Sequence, residues 1–501
     1  MTSSPKQNPY NAETPIEASE MFFGRAEALD VIVEKRIRHA HPISTILIGG
    51  RKIGKTSLLH QIRNRLVQQP ACGNDIAIPV FISFHSRASW DIVTVFEEIA
   101  SELARSLRAN KGIQAHLETT TGDPYKVFCQ RLQTLWNQCS ERIGSVRFVI
   151  LLDEADRLLG HSWTPDVISN LRDLINTSSL KSFVALVVTG FRELHDYAMT
   201  EEIGIGSALG NAARWTSLSV LTETECRDLI TLPVNGGVEA KVVNAVYEQS
   251  GGHPYLTQYL MQQIWKPDPA SITLDSVSAA CKQFGKDTRV FPSWQEKFDD
   301  LDSRVYCTLA QEKKPQTLME IHKQAKDYAE PGEVEDSLDF LVYTGVIATQ
   351  DDKYHIAGTL YRDWFLARFS SDEKENSGKT PKTPQSKKDF DIGFLLTSVF
   401  VVLLIFAVTI AILVWASQQV PSAIVFAIIL VVAIVFDLVS IVTMLAMNNF
   451  LPKKWTTSFY DNVLSKIPIL DFSKYFQNSP DTQQAEDPQN PETSPDEQSI
   501  I

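Results

Sequence analysis

"GGRKIGKTSLL" occupies residues 49–59 and follows the apolar run "ISTILI" at 43–48. It fits the pattern G-x-x-x-x-G-K-[ST] through Gly49, Gly54, Lys55 and Thr56. A loop that leaves a strand and turns into a helix can aim several backbone N–H groups at phosphate oxygens, and glycines permit that curvature. The helix that follows adds the positive end of its dipole. Residues 49–57, with Gly50, Arg51, Lys52 and Ile53 inside the loop and Ser57 just past it, are the expected phosphate cradle. In that reading Lys55 reaches the β- and γ-phosphates of a nucleotide, and the Thr56 hydroxyl ligates Mg²⁺.

A second segment supports the first. "VILLDE", residues 149–154, is an apolar strand that ends in two acids. Asp153 is expected to hold Mg²⁺ through its water shell, and Glu154 to polarise the attacking water as general base. An Asp-Glu pair after a strand also suits an ordinary helix cap. It gains weight from its place about 100 residues after a P-loop, and a Glu beside the Asp favours hydrolysis over binding alone. "SFVALVVTG" (182–190) places Thr189 at the end of another strand, as a polar sensor of the γ-phosphate or as a turn residue. Arg192 and Arg214 are candidates for a cation that reads the γ-phosphate, in cis or from a neighbouring subunit, each with a solvated surface role as the alternative.

Apolar runs rich in Val and Ile ("STILIGG", "AIPVFISF", "RFVILLDE", "SFVALVVTG") alternate with amphipathic stretches such as "SWDIVTVFEEIASELARSL". That alternation predicts buried parallel strands and covering helices, an α/β P-loop NTPase core over 21–215 after an extended lead-in at 1–20. After about 215 the strands are expected to stop, and residues 216–299 read as a helical lid. Residues 300–369 read as three helices, a β-hairpin ("IATQ", "KYHIA") and a closing helix, the winged-helix pattern. Its third helix, "GEVEDSLDFLVYTGV", carries Glu333, Glu335, Asp336 and Asp339 and no Lys or Arg, which disfavours DNA as a partner.

Residues 370–391 are expected to be a disordered polar linker. "IGFLLTSVFVVLLIFAVTIAILVWA" (392–416) has no charge, and 423–447 has one acid, Asp437. Each is long enough to cross ~30 Å of hydrocarbon at ~1.5 Å per residue, so 392–447 reads as a two-helix transmembrane hairpin. Lys379, Lys382, Lys387 and Lys388 before it, and Lys453 and Lys454 after it, put both termini in the cytoplasm. An acid inside a span is costly and faces a partner helix, water or the interface. The tail, 448–501, is expected to be disordered from about 476.

The totals set outer bounds. The chain has 501 residues, enough for two or three domains, and a net charge of −13, which excludes a molecule built as a whole to coat nucleic acid. Its six cysteines include no CxxC pair and no zinc spacing, so they read as thiols in a reducing compartment. The polar N-terminus is not expected to act as a signal peptide.

These residues carry a resemblance. "NPYNAETPIEASEMFFGRAEAL" (8–29) resembles the lead-in of the STAND and archaeal-type AAA ATPases, whose FxGR-x-x-E segment borders the adenine. Phe23, Gly24, Arg25 and Glu27 stand at those positions. "SGGHPYLTQYL" (250–260) resembles their G-x-P motif, whose turn approaches the nucleotide, through Gly252, His253 and Pro254. A helix-entry role for His253 is the alternative. The resemblance covers roughly 8–369. It implies an ATP/ADP switch that is closed with ADP, open or assembled as a homo-oligomer with ATP, and reset by slow hydrolysis. It is also what favours adenine over guanine.

The chain departs from many STAND proteins in having no C-terminal repeat array, with a hydrophobic hairpin in its place, so the protein that triggers it is unknown. The expected function is a membrane-anchored switch in a prokaryotic plasma membrane, serving defence or stress signalling by clustering its hairpins in the lipid bilayer. The competing readings are a non-catalytic nucleotide-binding scaffold and a DNA-binding, initiator-like ATPase.

Overall fold

The structure is a computed structural model. It describes residues 7–376 except 86–89, 115–116, 118–120, 200–208, 288, 313 and 327. The chain divides into two compact units, Met1–Gly378 and Lys379–Ile501. The expected linker beyond 376, the hairpin at 392–447 and the tail lie outside the described residues. Among the described residues no helix is long and apolar enough to cross a membrane.

The first unit is organised by a six-stranded sheet: β1 (Thr45–Gly49), β2 (Ala71–Cys72), β3 (Asp75–Ser83), β4 (Val146–Asp153), β5 (Val184–Gly190) and β6 (Arg214–Leu218), in the order β2-β3-β4-β5-β1-β6. All pairings are parallel except β2 with β3. Every residue of β1, β4 and β5 is buried, which is why these strands read as continuous apolar runs. Their side chains still alternate between faces. Phe148, Ile150 and Leu152 of β4 join one core, while Val149 and Leu151 join the other. Pro79 is tolerated inside β3 because the outer neighbour, β2, is only two residues long, so the missing N–H costs little ladder.

Helices cover both faces. α1 (Ala26–Asp30) runs on into a wider turn through Ile37, and α2 (Lys55–Gln68) packs with it on the Leu47, Val149 and Val187 face. α3 (Ile92–Lys111), α4 (Pro124–Ile143) and α5 (Thr164–Asn176) supply the opposite core, followed by α6 (Arg192–Met199) and the short α7 (Leu209–Ala212). Asp91 and Asp123 cap α3 and α4 by accepting the N–H groups of Thr94 and Lys126.

The strands do not stop at 215, as the apolar pattern suggested. β6 runs beside β1 to Leu218. Beyond it come α8 (Glu223–Thr231), α9 (Ala240–Ser250), α10 (Pro254–Ile264), α11 (Leu274–Asp287) and α12 (Val290–Gln295). A three-helix unit follows: α13 (Asp300–Gln311), α14 (Leu318–Ala325) and α15 (Pro331–Thr344), then the hairpin β7 (Ile347–Gln350) and β8 (Lys353–Ile356). α16 spans Thr359–Asn376, so helix replaces the first residues of the expected linker.

The expected lead-in is extended but tied down. Tyr10 is buried and its hydroxyl donates to the carbonyl of Ile230. The Ile16 N–H donates to Ser57 Oγ at 2.9 Å, and Gln61 donates to the carbonyls of Ile16 and Glu17. The lead-in therefore links the lid to the helix that follows the phosphate loop.

Candidate nucleotide site

The C-terminal ends of β1, β4 and β5 meet at one place, where parallel sheets present their ligand sites. The Thr56 hydroxyl, in the first turn of α2, donates to Asp153 Oδ2 at 2.8 Å. The buried Thr189 hydroxyl donates to Asp153 Oδ1 at 2.7 Å, and its oxygen accepts the Glu154 N–H at 3.1 Å. Three segments that the sequence keeps far apart thus converge on one carboxylate. Glu154 adopts φ 56°, a left-handed conformation costly for a non-glycine residue, which sets its side chain apart from the strand.

Lys55 turns back on its own loop and donates to the carbonyls of Gly49 at 2.6 Å and Gly50 at 2.9 Å. Burial pulls its pKa below the usual lysine range, against the opposing pull of Asp156, Asp153 and Glu154. A part-buried ammonium satisfied by loop carbonyls can exchange them for phosphate oxygens. Gly54 takes φ 103° at the start of α2, and a Cβ there would meet nothing within 4 Å, so the loop opens onto free space. A Cβ on Gly49 would stand 2.7 Å from Ile53 Cγ2.

The donor set suits a magnesium nucleotide. Among the described residues no group of three or more His, Cys, Asp or Glu could hold a metal. A cation between Thr56 and Asp153 would depend on phosphate oxygens and water for its remaining ligands, as Mg²⁺ commonly does.

Several expected loop residues face elsewhere. Lys52, at φ 61°, lies 4.0 Å over the Tyr255 ring of α10 and 4.0 Å from Glu13. Arg51 is exposed. The Ser57 hydroxyl serves the lead-in, as described above. Arg25 donates to the carbonyls of Ile53 at 3.4 Å and of Ser219, and its own N–H reaches Glu225 Oε1 at 2.8 Å. Burial lowers its pKa to about 10, with Glu225 opposing. A Cβ on Gly24 would stand 2.9 Å from Glu225 Cδ, so the lead-in turn requires glycine.

Of the two candidate arginines, one lies far from the phosphate loop and the other is near it but engaged elsewhere. Arg214 is the first residue of β6 and pairs with Thr45, whereas Gly49 pairs with Leu218. At ~3.3 Å per residue it lies on the order of 13 Å from the site edge of the sheet, at the opposite end. Arg192 starts α6 close to the site but is bound to Asp299 and Asp302 of the three-helix unit. His253 is fully buried before Pro254, which opens α10. Its ring stacks on Trp294 at 4.6 Å, and neither ring nitrogen has a partner. Burial lowers its pKa to about 3, with Arg25 and Lys52 adding to the effect.

Three residues joined the site without a motif. His85 follows β3, and its Nδ1 lies 2.9 Å from Glu154 Oε2, so Nδ1 carries the proton and donates. Asp156 accepts the N–H groups of Phe191 at 2.9 Å and Leu194 at 3.1 Å and so fixes the start of α6. Asp302 holds Arg192. Only His85 left a signal in the sequence, as a polar residue just past a strand end on the ligand edge.

Residues 38–197 match a family model described as "AAA domain". No curated protein matches the chain. Among solved structures the chain is similar to a Walker-type ATPase of Pyrococcus abyssi (16% identity, 70% of this chain and 98% of that one, TM-score 0.49). It is similar to the Aeropyrum pernix ORC2 protein in its ADP form (14% identity, 72% and 98%, TM-score 0.41). It is also similar to a signal transduction ATPase with numerous domains and a tetratricopeptide repeat sensor from Pyrococcus horikoshii (16% identity, 75% and 48%, TM-score 0.30). At these identities and scores the likeness assigns no activity. The converging Thr56, Asp153 and Thr189, and the match over 38–197, agree on one statement: the chain contains an α/β P-loop NTPase fold with an AAA-like core.

Proposed function

We propose that this chain is a membrane-anchored ATP switch, with slow hydrolysis as the reset. The observation that carries the proposal is the contact between the phosphate loop and the three-helix unit. The Gly50 N–H donates to the Tyr343 carbonyl at 2.6 Å, and a Cβ on Gly50 would lie 2.6 Å from the Thr344 carbonyl oxygen. Any rearrangement of the loop is therefore felt directly at the end of α15. The segment between the hairpin and α16 meets the lid, because a Cβ on Gly251 would lie 2.3 Å from the Gly358 nitrogen. The three-helix unit acts as a winged-helix clamp, closed on the core as described here.

When bound, Mg²⁺ supplies neutralisation of phosphate charge. Thr56 and Asp153 are the residues that would hold it, and Thr189 orients Asp153. Lys55 binds the phosphates, and Glu154 takes the proton of the attacking water once it leaves His85. DNA remains a poor partner, since α15 presents Glu333, Glu335 and Asp336.

The anchor rests on the uncharged 392–416 stretch and its near-uncharged partner at 423–447. Opening of the clamp in the ATP state exposes surface for a homo-oligomer, which gathers the hairpins in the bilayer. A prokaryotic plasma membrane and a defence or stress role fit that output, with the trigger a protein of unknown kind.

The test is nucleotide content, turnover and light scattering of the full-length chain in detergent, for wild type, Lys55→Ala and Glu154→Gln. The switch requires ATP turnover by wild type, lost binding in Lys55→Ala and an ATP-loaded assembly of Glu154→Gln. Three inert proteins without nucleotide would instead favour a non-catalytic scaffold.

A further inference from the structure

Arg192 sits beside the phosphate site yet spends its charge elsewhere. Its Nη1 donates to Asp302 Oδ2, its Nη2 lies 2.9 Å from Asp299 Oδ2, and its Nε lies 3.7 Å from Asp196 Oδ2. The guanidinium face lies 4.4 Å over the Phe340 ring of α15. Burial alone would lower its pKa, but Asp302, Asp299 and Asp196 outweigh it and raise the value. The arginine is thus a fixed cation clasped mainly by the three-helix unit.

Asp302 is an unusual partner for an arginine of the ATPase core. It is fully buried in the first turn of α13. Its Oδ1 accepts from the Ser337 hydroxyl of α15 at 2.8 Å, and its Oδ2 accepts from the Asp299 N–H at 3.0 Å. A buried carboxylate so supplied with donors loses much if its cation leaves. Arg192 follows Phe191, whose ring centroid is 6.0 Å from Lys55 Nζ, and Phe191 follows the last residue of β5. The guanidinium is therefore tethered a short segment from where phosphates bind. A terminal phosphoryl group offers it the same paired-oxygen geometry as a carboxylate.

We infer that Asp302 is a stand-in for the terminal phosphate: it holds Arg192 while the site lacks a γ-phosphate, and ATP draws Arg192 away and frees α13. This rests on the nucleotide-site reading above. No covalent step is involved, only the exchange of one oxyanion for another. Asp302 is a positioning residue that acts through Arg192. The neighbouring pair, Lys297 with Glu193, ties α6 to the turn just before α13 without touching Arg192 and serves as the control.

The test measures Kd for ADP and for a non-hydrolysable ATP analogue on the full-length chain in nanodiscs, and reads their ratio. The ratio is insensitive to general loosening, which a merely structural role would produce. Asp302→Asn is expected to shift the ratio about tenfold towards ATP. Ser337→Ala shifts it less in the same direction and covers the case in which Asp302→Asn does not fold. Arg192→Ala abolishes the preference, and Lys297→Ala leaves the wild-type ratio. Ratios within about twofold of wild type for Asp302→Asn, or Ser337→Ala if that variant is needed, and for Arg192→Ala overturn the inference while leaving the nucleotide site intact. A wild-type chain that binds neither nucleotide overturns both.

Discussion

The amide of Gly50 donates to the carbonyl of Tyr343 at 2.6 Å, joining the phosphate loop to the last turn of α15 across nearly 300 residues of sequence. The contact leaves no room for a side chain, since a Cβ at 50 would stand 2.7 Å from Thr344 Cα. Gly50 is not among the residues with positive φ, so alanine fits its backbone and meets only the helix end. Gly50→Ala is expected to cost about 1–3 kcal/mol in denaturant unfolding. Hydrogen exchange should show lost protection at the end of α15, while β4 stays protected. Unchanged protection at α15 would mean that the two elements are not coupled.

Lys55→Ala and Glu154→Gln separate binding from chemistry. Removing the part-buried ammonium of Lys55 is expected to weaken ATP binding at least about a hundredfold by equilibrium titration. Glu154→Gln keeps the shape but removes the base, so binding stays within about threefold while kcat falls by about 10²-fold or more. If Glu154→Gln turned over ATP at the wild-type rate, another group would be the base.

His253 makes the folded state sensitive to acid. Its pKa is about 3 where it is buried, against 6.5 in water. The protonated form therefore favours any state that exposes the ring. No penalty exists well above pH 6.5; it starts as pH falls through 6.5 and grows until about 3. Between about pH 7 and 5 the folded state should lose about 2 kcal/mol relative to His253→Phe, which keeps a ring against Trp294 but cannot titrate. Parallel stability curves for the two proteins in urea over that range would contradict the burial described here.

Asp156 links the turn after Glu154 to α6 by accepting the N–H groups of Phe191, just before the helix, and of Leu194 in its first turn. Asp156→Ala is expected to cost about 1–2 kcal/mol, the value of an N-cap, measured by thermal unfolding. The loss should exceed that of Asp166→Ala, an acid in the first turn of α5 that makes no such cap.

Much of this site was legible because its chemistry is local. The loop at 49–57 and the acids at 153–154 each sit at a strand end, and burial on both faces makes such strands continuous apolar words. β6 was not legible, because "RWTSL" is an edge strand whose residues are mostly part-exposed and polar. That same omission left Arg214 without a place, and pairing with Thr45 puts it at the wrong end of the sheet. Arg192 reads from the sequence as a candidate cation for the γ-phosphate, but its partners Asp299 and Asp302 lie more than 100 residues away, where no spacing rule reaches. Asp302 carries no signal in the sequence, because a buried ion pair leaves no local pattern.

In the proposed switch, the phosphate state of the loop sets the position of the three-helix unit. The most direct measurement is the distance between spin labels on α2 and α14 in the full-length Glu154→Gln chain, by pulsed electron resonance. With ADP, the distribution should match the closed arrangement described here. With ATP, a longer distance should become dominant. Identical distributions in the two nucleotide states, with both nucleotides bound, would contradict the account.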